Sequence, residues 1–192
     1  AVKTGMLANA EVVAAVADSL RQAKIEKIVV DPVMVATSGD PLLAADAVDV
    51  MCAELFPLAA VVTPNLDEAA RLLSGQRANN REEMLQQAHQ IAERGASAVL
   101  LKGGHLAAEP AGEAADVLIQ GNDVRWLTAE RIETANTHGT GCTLASAIAA
   151  GLAKGLSLEQ SAEEAKAYLT RALKGGVRLD IGHGAGPVDH LI

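Results

Sequence analysis

Four short segments carry the residue types that handle phosphate and divalent metal. In Asn136 to Leu144 (NTHGTGCTL), Gly139 and Gly141 flank Thr140 at the head of an alanine-rich run. Two glycines there let the backbone approach a ligand closely. A helix starting at that point leaves its first N–H groups unpaired, with the positive end of its dipole behind them. That combination makes an anion site. The same residues also read as an ordinary glycine loop capped by Thr140. The stretch is no Walker A loop, which requires GxxxxGK followed by Ser or Thr, and it lacks the third glycine of a dinucleotide fingerprint. Cys142, in the first turn of the run, reads either as a small interior side chain or as a thiolate favoured by the helix N-terminus.

The other segments are equally two-sided. Asn65 and Glu68 (NLDE) are spaced as a capping box, and equally as an amide and a carboxylate that hold hydrated Mg²⁺ near phosphates. Lys102, followed by Gly103 and Gly104, is a phosphate contact or a strand-end lysine reaching solvent. Asp31, before Pro32, binds metal or its water, or opens a turn.

What decides between such readings is where the elements put these residues. The pattern predicts helices over Asn9–Lys24, Ala44–Leu55, Asn65–Leu73, Arg81–Arg94, Cys142–Lys154 and Leu158–Lys174. Short, wholly apolar runs at Lys27–Asp31, Ala59–Thr63 and Ala98–Lys102 predict buried strands, the first two closed by Pro32 and Pro64. Asp116–Gln120, Val124–Thr128 and Arg131–Thr134 read as a small antiparallel meander. Gly182 to Pro187 is a glycine-rich loop with no chemistry of its own. Apolar strands alternating with helices predict an α/β fold of three layers, a mostly parallel sheet with helices on both faces. Ligands gather at the carboxyl ends of such strands. Asp31, Asn65, Glu68, Lys102 and the Gly139–Cys142 segment all fall there. An acid pair, a cation and a nest of N–H groups on one rim are the parts that phosphoryl transfer requires.

Composition sets the outer bounds. The chain has 192 residues, enough for a single domain spanning residues 1–192, and 49% of them are apolar. Only 2% are aromatic, so the core is aliphatic. A net charge of −8 argues against a nucleic-acid surface. No apolar run is long enough for a membrane span. Two distant cysteines, Cys52 and Cys142, make neither a disulfide framework nor a zinc site, which points to a reducing cytoplasm.

The segments KTGML (Lys3–Leu7), DPVM (Asp31–Met34), SGDPLL (Ser38–Leu43), TPNLDEA (Thr63–Ala69), LLKGGH (Leu100–His105), NTHGTGCTLASAIAAGLA (Asn136–Ala153) and GHGAGPVDH (Gly182–His190), in this order, resemble the hydroxymethylpyrimidine (phosphate) kinases of thiamine biosynthesis, within the ribokinase superfamily. The resemblance covers essentially the whole chain and is loose between Ala107 and Glu130. It implies a ribokinase-like fold and a kinase that uses ATP and Mg²⁺. The implied acceptors are 4-amino-5-hydroxymethyl-2-methylpyrimidine and then its monophosphate. It further implies a cytoplasmic homodimer that binds neither nucleic acid nor membrane. Carried over by motif, Gly139, Thr140 and Gly141 form the anion hole, and Cys142 takes the place of the aspartate base of other ribokinase-like enzymes. Lys102, Asn65 and Thr137 face the nucleotide. Glu68 and Asp31 manage Mg²⁺ and its waters, and Met6 and Val33 pack the pyrimidine. Pyridoxal kinase is the nearest rival, hydroxyethylthiazole kinase a weaker one, and an inactive nucleotide-binding fragment a rival of another class. The family opens with a glycine-rich segment and further strands before the position of Ala1. The expectation is therefore a domain short of roughly a quarter of its length, with an incomplete substrate pocket and an open sheet edge.

Overall fold

A computed structural model describes residues 1–34, 42–104, 106 and 112–192. Ser38 to Pro41 of the SGDPLL segment and His105 lie outside the described residues. The elements are β1 (Val2–Thr4), α1 (Ala10–Gln22), β2 (Ile28–Val30), α2 (Ala45–Glu54), β3 (Val61–Val62), α3 (Leu66–Leu72), α4 (Arg81–Ala92), β4 (Ala98–Lys102), β5 (Glu113–Gln120), β6 (Asp123–Glu130), α5 (Thr140–Ala153) and α6 (Leu158–Gly176). A short 3₁₀ turn, Phe56–Leu58, precedes β3.

The six strands form one sheet in chain order, parallel from β1 to β4 and antiparallel from β4 to β6. Crossovers of one hand between strands laid down in sequence put their helices on one face. The core divides accordingly. Val13, Ala17 and Leu20 of α1, Met51 of α2, Leu72 of α3 and Met84 and Ile91 of α4 pack with Ile28, Val30, Val62, Val99 and Leu101. The alternate strand residues Val29, Val61, Ala98 and Leu100 face the other way, onto Leu144, Ile148 and Leu152 of α5 and Ala162 and Ala165 of α6. A strand buried on both faces has no polar side to show, which is why these strands read as unbroken apolar runs. Each fully buried Val, Leu or Ile side chain contributes about 1.5–3 kcal/mol.

Two expectations are corrected here. The stretch read as a small meander is two long strands of eight residues each, β5 and β6, which extend the main sheet. Its third strand, over Arg131–Thr134, does not form. Arg131 instead closes the β5–β6 hairpin, its N–H donating to Gly112 O at 2.8 Å and its Nε to Glu113 O at 3.2 Å.

The direction of α5 matters most for the site. At its last turn, Leu152 O accepts a bond of 2.8 Å from Lys27 Nζ, which stands just before β2. At its first turn, Gly141 lies beside Lys102, the last residue of β4. Helix α5 therefore runs antiparallel to the strands and aims its positive end at their carboxyl rim.

Candidate active site

Asp31 is the hub. It follows β2 directly, and its side chain is buried. Its Oδ1 accepts from Lys102 Nζ at 3.0 Å and from Thr63 Oγ1 at 3.1 Å, and its Oδ2 lies 3.5 Å from Lys3 Nζ. The parallel register explains the meeting, because residues just beyond paired strand ends stand side by side. Lys102 N–H also donates to Pro64 O at 2.8 Å, and Asn65 bridges to Lys102, so the NLDE turn sits against the lysine.

Glu68 then falls within reach. Its Oε2 is 3.9 Å from Lys102 Nζ and accepts from Asn65 N–H at 2.7 Å, while Glu68 N–H donates to Asn65 Oδ1 at 2.8 Å. The capping box is complete, yet the carboxylate is buried next to the lysine. The capping reading has formed, and the cap fixes the carboxylate at the rim. Burial pushes the Glu68 carboxyl up to about 7, against the opposing pull of Lys102 and the Asn65 N–H. Burial works to lower Lys102, but Asp31 first and Glu68 second outweigh it and hold its ammonium above the usual value. The solvent reading of Lys102 is corrected, since its side chain is only 14% exposed and paired.

The glycine loop closes the site. Gly139 caps α5 with φ +85°, a left-handed conformation that suits glycine, and the cap makes no side-chain hydrogen bond. The first-turn N–H groups of Gly141 and Cys142 thus have no intrahelical carbonyl. A Cβ on Gly141 would lie 3.2 Å from Lys102 Nζ, so the lysine tip rests against the loop. Thr140 N–H donates to Thr137 O at 3.4 Å, which places half-buried Thr137 at the base of the loop. Cys142 is exposed, which removes the interior reading.

Met6 and Val33 lie beyond the paired ends of β1 and β2, Met6 with 53% exposure. Neither lines the cleft of about 650 Å³ that opens beside them, which is formed by Ala8, Met34, Leu42, Leu43, Arg71 and Arg94 among others.

The donor set fits Mg²⁺ of one kind only. Asp31 and Glu68 are hard carboxylates flanking one cation, and the described residues hold no cluster of three or more His, Cys, Asp or Glu suited to a metal. Two carboxylates suit a water-clad ion carried largely by phosphates.

Four supporting groups escaped the sequence reading. Asp116 is buried in β5, and its Oδ1 accepts from Gly103 N–H at 2.9 Å while its Oδ2 pairs with Lys166 of α6 at 2.7 Å. This pair pins the turn after Lys102. Lys3 reaches Asp31 from β1. The side-chain Nδ2 of Asn136 donates to Gly176 O and Leu179 O, each at 2.7 Å, and a Cβ on Gly186 would land on Asn136 Oδ1. With His138 N–H donating to Gly186 O at 3.0 Å and Thr143 Oγ1 at 2.9 Å from His190 Nε2, the glycine-rich tail becomes the outer wall of the anion loop. These pairs join residues far apart in the chain and leave no local signal.

A family described as phosphomethylpyrimidine kinase matches residues 1–189. The hydroxymethylpyrimidine/phosphomethylpyrimidine kinase of Rhizobium meliloti (strain 1021) is 54% identical over 191 residues, covering 100% of this chain and 70% of that protein. Staphylococcus aureus pyridoxal kinase in complex with AMP-PCP and pyridoxal superposes with a TM-score of 0.88 at 34% identity, over 98% of this chain and 66% of that one. The phosphomethylpyrimidine kinase of Clostridium difficile 630 superposes with a TM-score of 0.76 at 34% identity, over 90% of this chain and 68% of that one.

Proposed function

The chain belongs to the phosphomethylpyrimidine kinase family, and from that premise we propose that it transfers the γ-phosphoryl group of ATP to hydroxymethylpyrimidine and then to the resulting monophosphate. The observation that carries this reading is the rim itself. Lys102 Nζ is bound to Asp31, faces Glu68 and rests on Gly141 at the positive end of α5. A buried cation under free N–H groups is arranged for a phosphate and for little else.

Each residue then has a task. The anion hole of Gly139, Thr140 and Gly141 receives the transferring phosphoryl oxygens, chiefly through the unpaired N–H groups of Gly141 and Cys142, and Lys102 neutralises charge that develops on them. Thr137 and Asn65 help position the nucleotide from the loop base and the capped turn. Asp31 and Glu68 hold Mg²⁺ through its waters, and the bound ion supplies neutralisation of the phosphate charge. Cys142, exposed beside the loop, accepts or orients the proton of the hydroxymethyl group. Met6 and Val33 pack the pyrimidine. A loose transition state asks little of a base, so positioning and charge supply most of the rate. The same reading carries a homodimer, on family grounds, and the cytoplasm, on two free cysteines. Among the described residues no helix is long and apolar enough to cross a membrane.

The resemblance to pyridoxal kinase in fold makes pyridoxal the competing acceptor. The deciding experiment measures ADP release with hydroxymethylpyrimidine, its monophosphate and pyridoxal in turn. Turnover of the first two supports the proposal; turnover of pyridoxal alone replaces it; ATP binding with no turnover marks a nucleotide-binding unit. Cys142→Ala is expected to lower kcat by at most about 10²–10⁴-fold, and Cys142→Asp to keep activity. Unchanged kcat in the alanine variant would remove the thiol from the reaction.

A further inference from the structure

A second cation stands at the rim with no task in the scheme above. We propose that Lys3 holds the phosphate of the phosphorylated acceptor and so determines whether the second of the two transfers proceeds. The inference rests on the kinase reading and adds a phosphate subsite to it.

Placement comes first. Lys3 lies opposite Val29 in the β1–β2 register, and Val29 faces the α5 side of the sheet. Asp31, Lys102 and the Gly139–Cys142 segment meet on that side. Side chains alternate along a strand, so Lys3 is directed to the transfer site while Thr4 is directed away from it.

The state of the ammonium comes next. The Lys3 side chain is 17% exposed, and among the described residues its one partner is Asp31 Oδ2 at 3.5 Å. An ammonium has three donors, and leaving them unused in a largely buried place is unfavourable. Lys102, by contrast, makes a bond of 3.0 Å to the same carboxylate and also faces Glu68. Each lysine tip rests on a glycine, because a Cβ at Gly141 or at Gly5 would lie 3.2 Å from its neighbouring Nζ. Gly141 belongs to the anion loop. Gly5 leads into Met6, on the acceptor half. One carboxylate thus holds two lysines apart, one for each substrate.

The chemistry of the two steps needs that division. In the first, the oxygen of a neutral alcohol bonds to the γ-phosphorus and gives its proton to a base, while the bond from that phosphorus to the bridging oxygen breaks and ADP leaves with the electron pair. In the second, an oxygen of the dianionic monoester forms the new bond to the γ-phosphorus while the bond from that phosphorus to the bridging oxygen breaks, and ADP leaves with the electron pair. The attacking oxygen carries no proton to remove. The obstacle is repulsion between two polyanions, and the remedy is a cation on the acceptor side.

The test uses the full chain with each acceptor offered separately. Lys3→Gln is expected to lower kcat/KM for the monophosphate by about ten- to hundredfold more than for the alcohol, the effect of one lost charge-assisted hydrogen bond. Lys3→Arg keeps the charge and should hold the ratio of the two acceptors near wild type. Cys142→Ala should shift that ratio the opposite way, since only the alcohol has a proton to lose. Equal losses on both acceptors in Lys3→Gln, or no loss, would overturn the proposal and leave Lys3 as a counter-ion of Asp31. A poorly folded Gln variant transfers the decision to Lys3→Arg, whose ratio must then hold. A wild-type chain that turns over neither acceptor would instead defeat the kinase reading on which the subsite depends.

Discussion

On the donor half of the rim, around β2, β3, β4 and α5, charged side chains, Asp31 among them, are tied by several partners, whereas on the acceptor half, at β1 and the Gly5–Met6 turn, they are tied by few. Lys102 meets Asp31 and Glu68, Glu68 is locked in a capping box, and the turn after Lys102 is pinned by the buried Asp116–Lys166 pair. Met6 stands 53% exposed, and among the described residues Lys3 has one partner. On the proposed reading, the difference teaches that geometry for the common part of the reaction, the triphosphate, is built into the core of the fold. The part that discriminates acceptors is laid on its margin.

The largest test of that contrast is Lys102→Met. It should lower kcat/KM by about 10²–10³-fold, as for loss of one donor to the transition state, and should cost about 3 kcal/mol of stability by leaving buried Asp31 with only Thr63 and the longer contact to Lys3. Denaturant titration reads the second effect. Met6→Ala is the counterpart on the acceptor half. Its stability should stay within about 0.5 kcal/mol of the parent, while KM for the pyrimidine rises about three- to tenfold.

A paired glycine experiment sharpens the comparison further. A Cβ on Gly103 would collide with the Ala115 carbonyl and press on Met84. Gly103→Ala should therefore destabilise by about 1–3 kcal/mol. Gly5 meets only the flexible tip of Lys3, and its φ is not left-handed. Gly5→Ala should change stability by less than about 1 kcal/mol. Equal melting shifts for the two would mean that the halves are equally rigid.

The smallest effect is on pH. Glu68 titrates near 7 when folded against an ordinary 4.5. The folded protein therefore holds this proton more tightly than the unfolded chain, so Glu68's contribution to stability is full below about 4.5 and falls as pH rises to about 7. Glu68→Gln should flatten that slope. On the proposed role of Glu68 in holding Mg²⁺ and its waters, which needs the ionised form, the variant should also remove any rise in kcat/KM for ATP centred near pH 7. A slope unchanged in the variant would assign it to another group.

Much of this was legible from residue patterns alone. Apolar runs closed by Pro32 and Pro64 marked β2 and β3 because strands buried on both faces must be apolar throughout. The Asn65–Glu68 spacing was read both as a cap and as a ligand pair; the cap has formed, and it leaves Glu68 at the rim. The destination of β5 and β6 was not legible, because an alternating hairpin has the same local pattern whether it stands alone or extends a sheet. The Asp116–Lys166, Lys3–Asp31 and Asn136–Gly186 contacts were silent for a related reason. Each joins segments whose nearness is a product of the whole fold, and nothing in either segment names its partner.

The seam between the glycine-rich tail and the anion loop gives the molecule a built-in antenna. The backbone of His138 is bonded to Gly186, and His190 touches Thr143 in the first turn of α5. An anion that stiffens the loop must also stiffen the last residues of the chain. Slowed amide exchange over residues 186–190, or a dye attached near His190, would then register events at the proposed phosphate site without touching it.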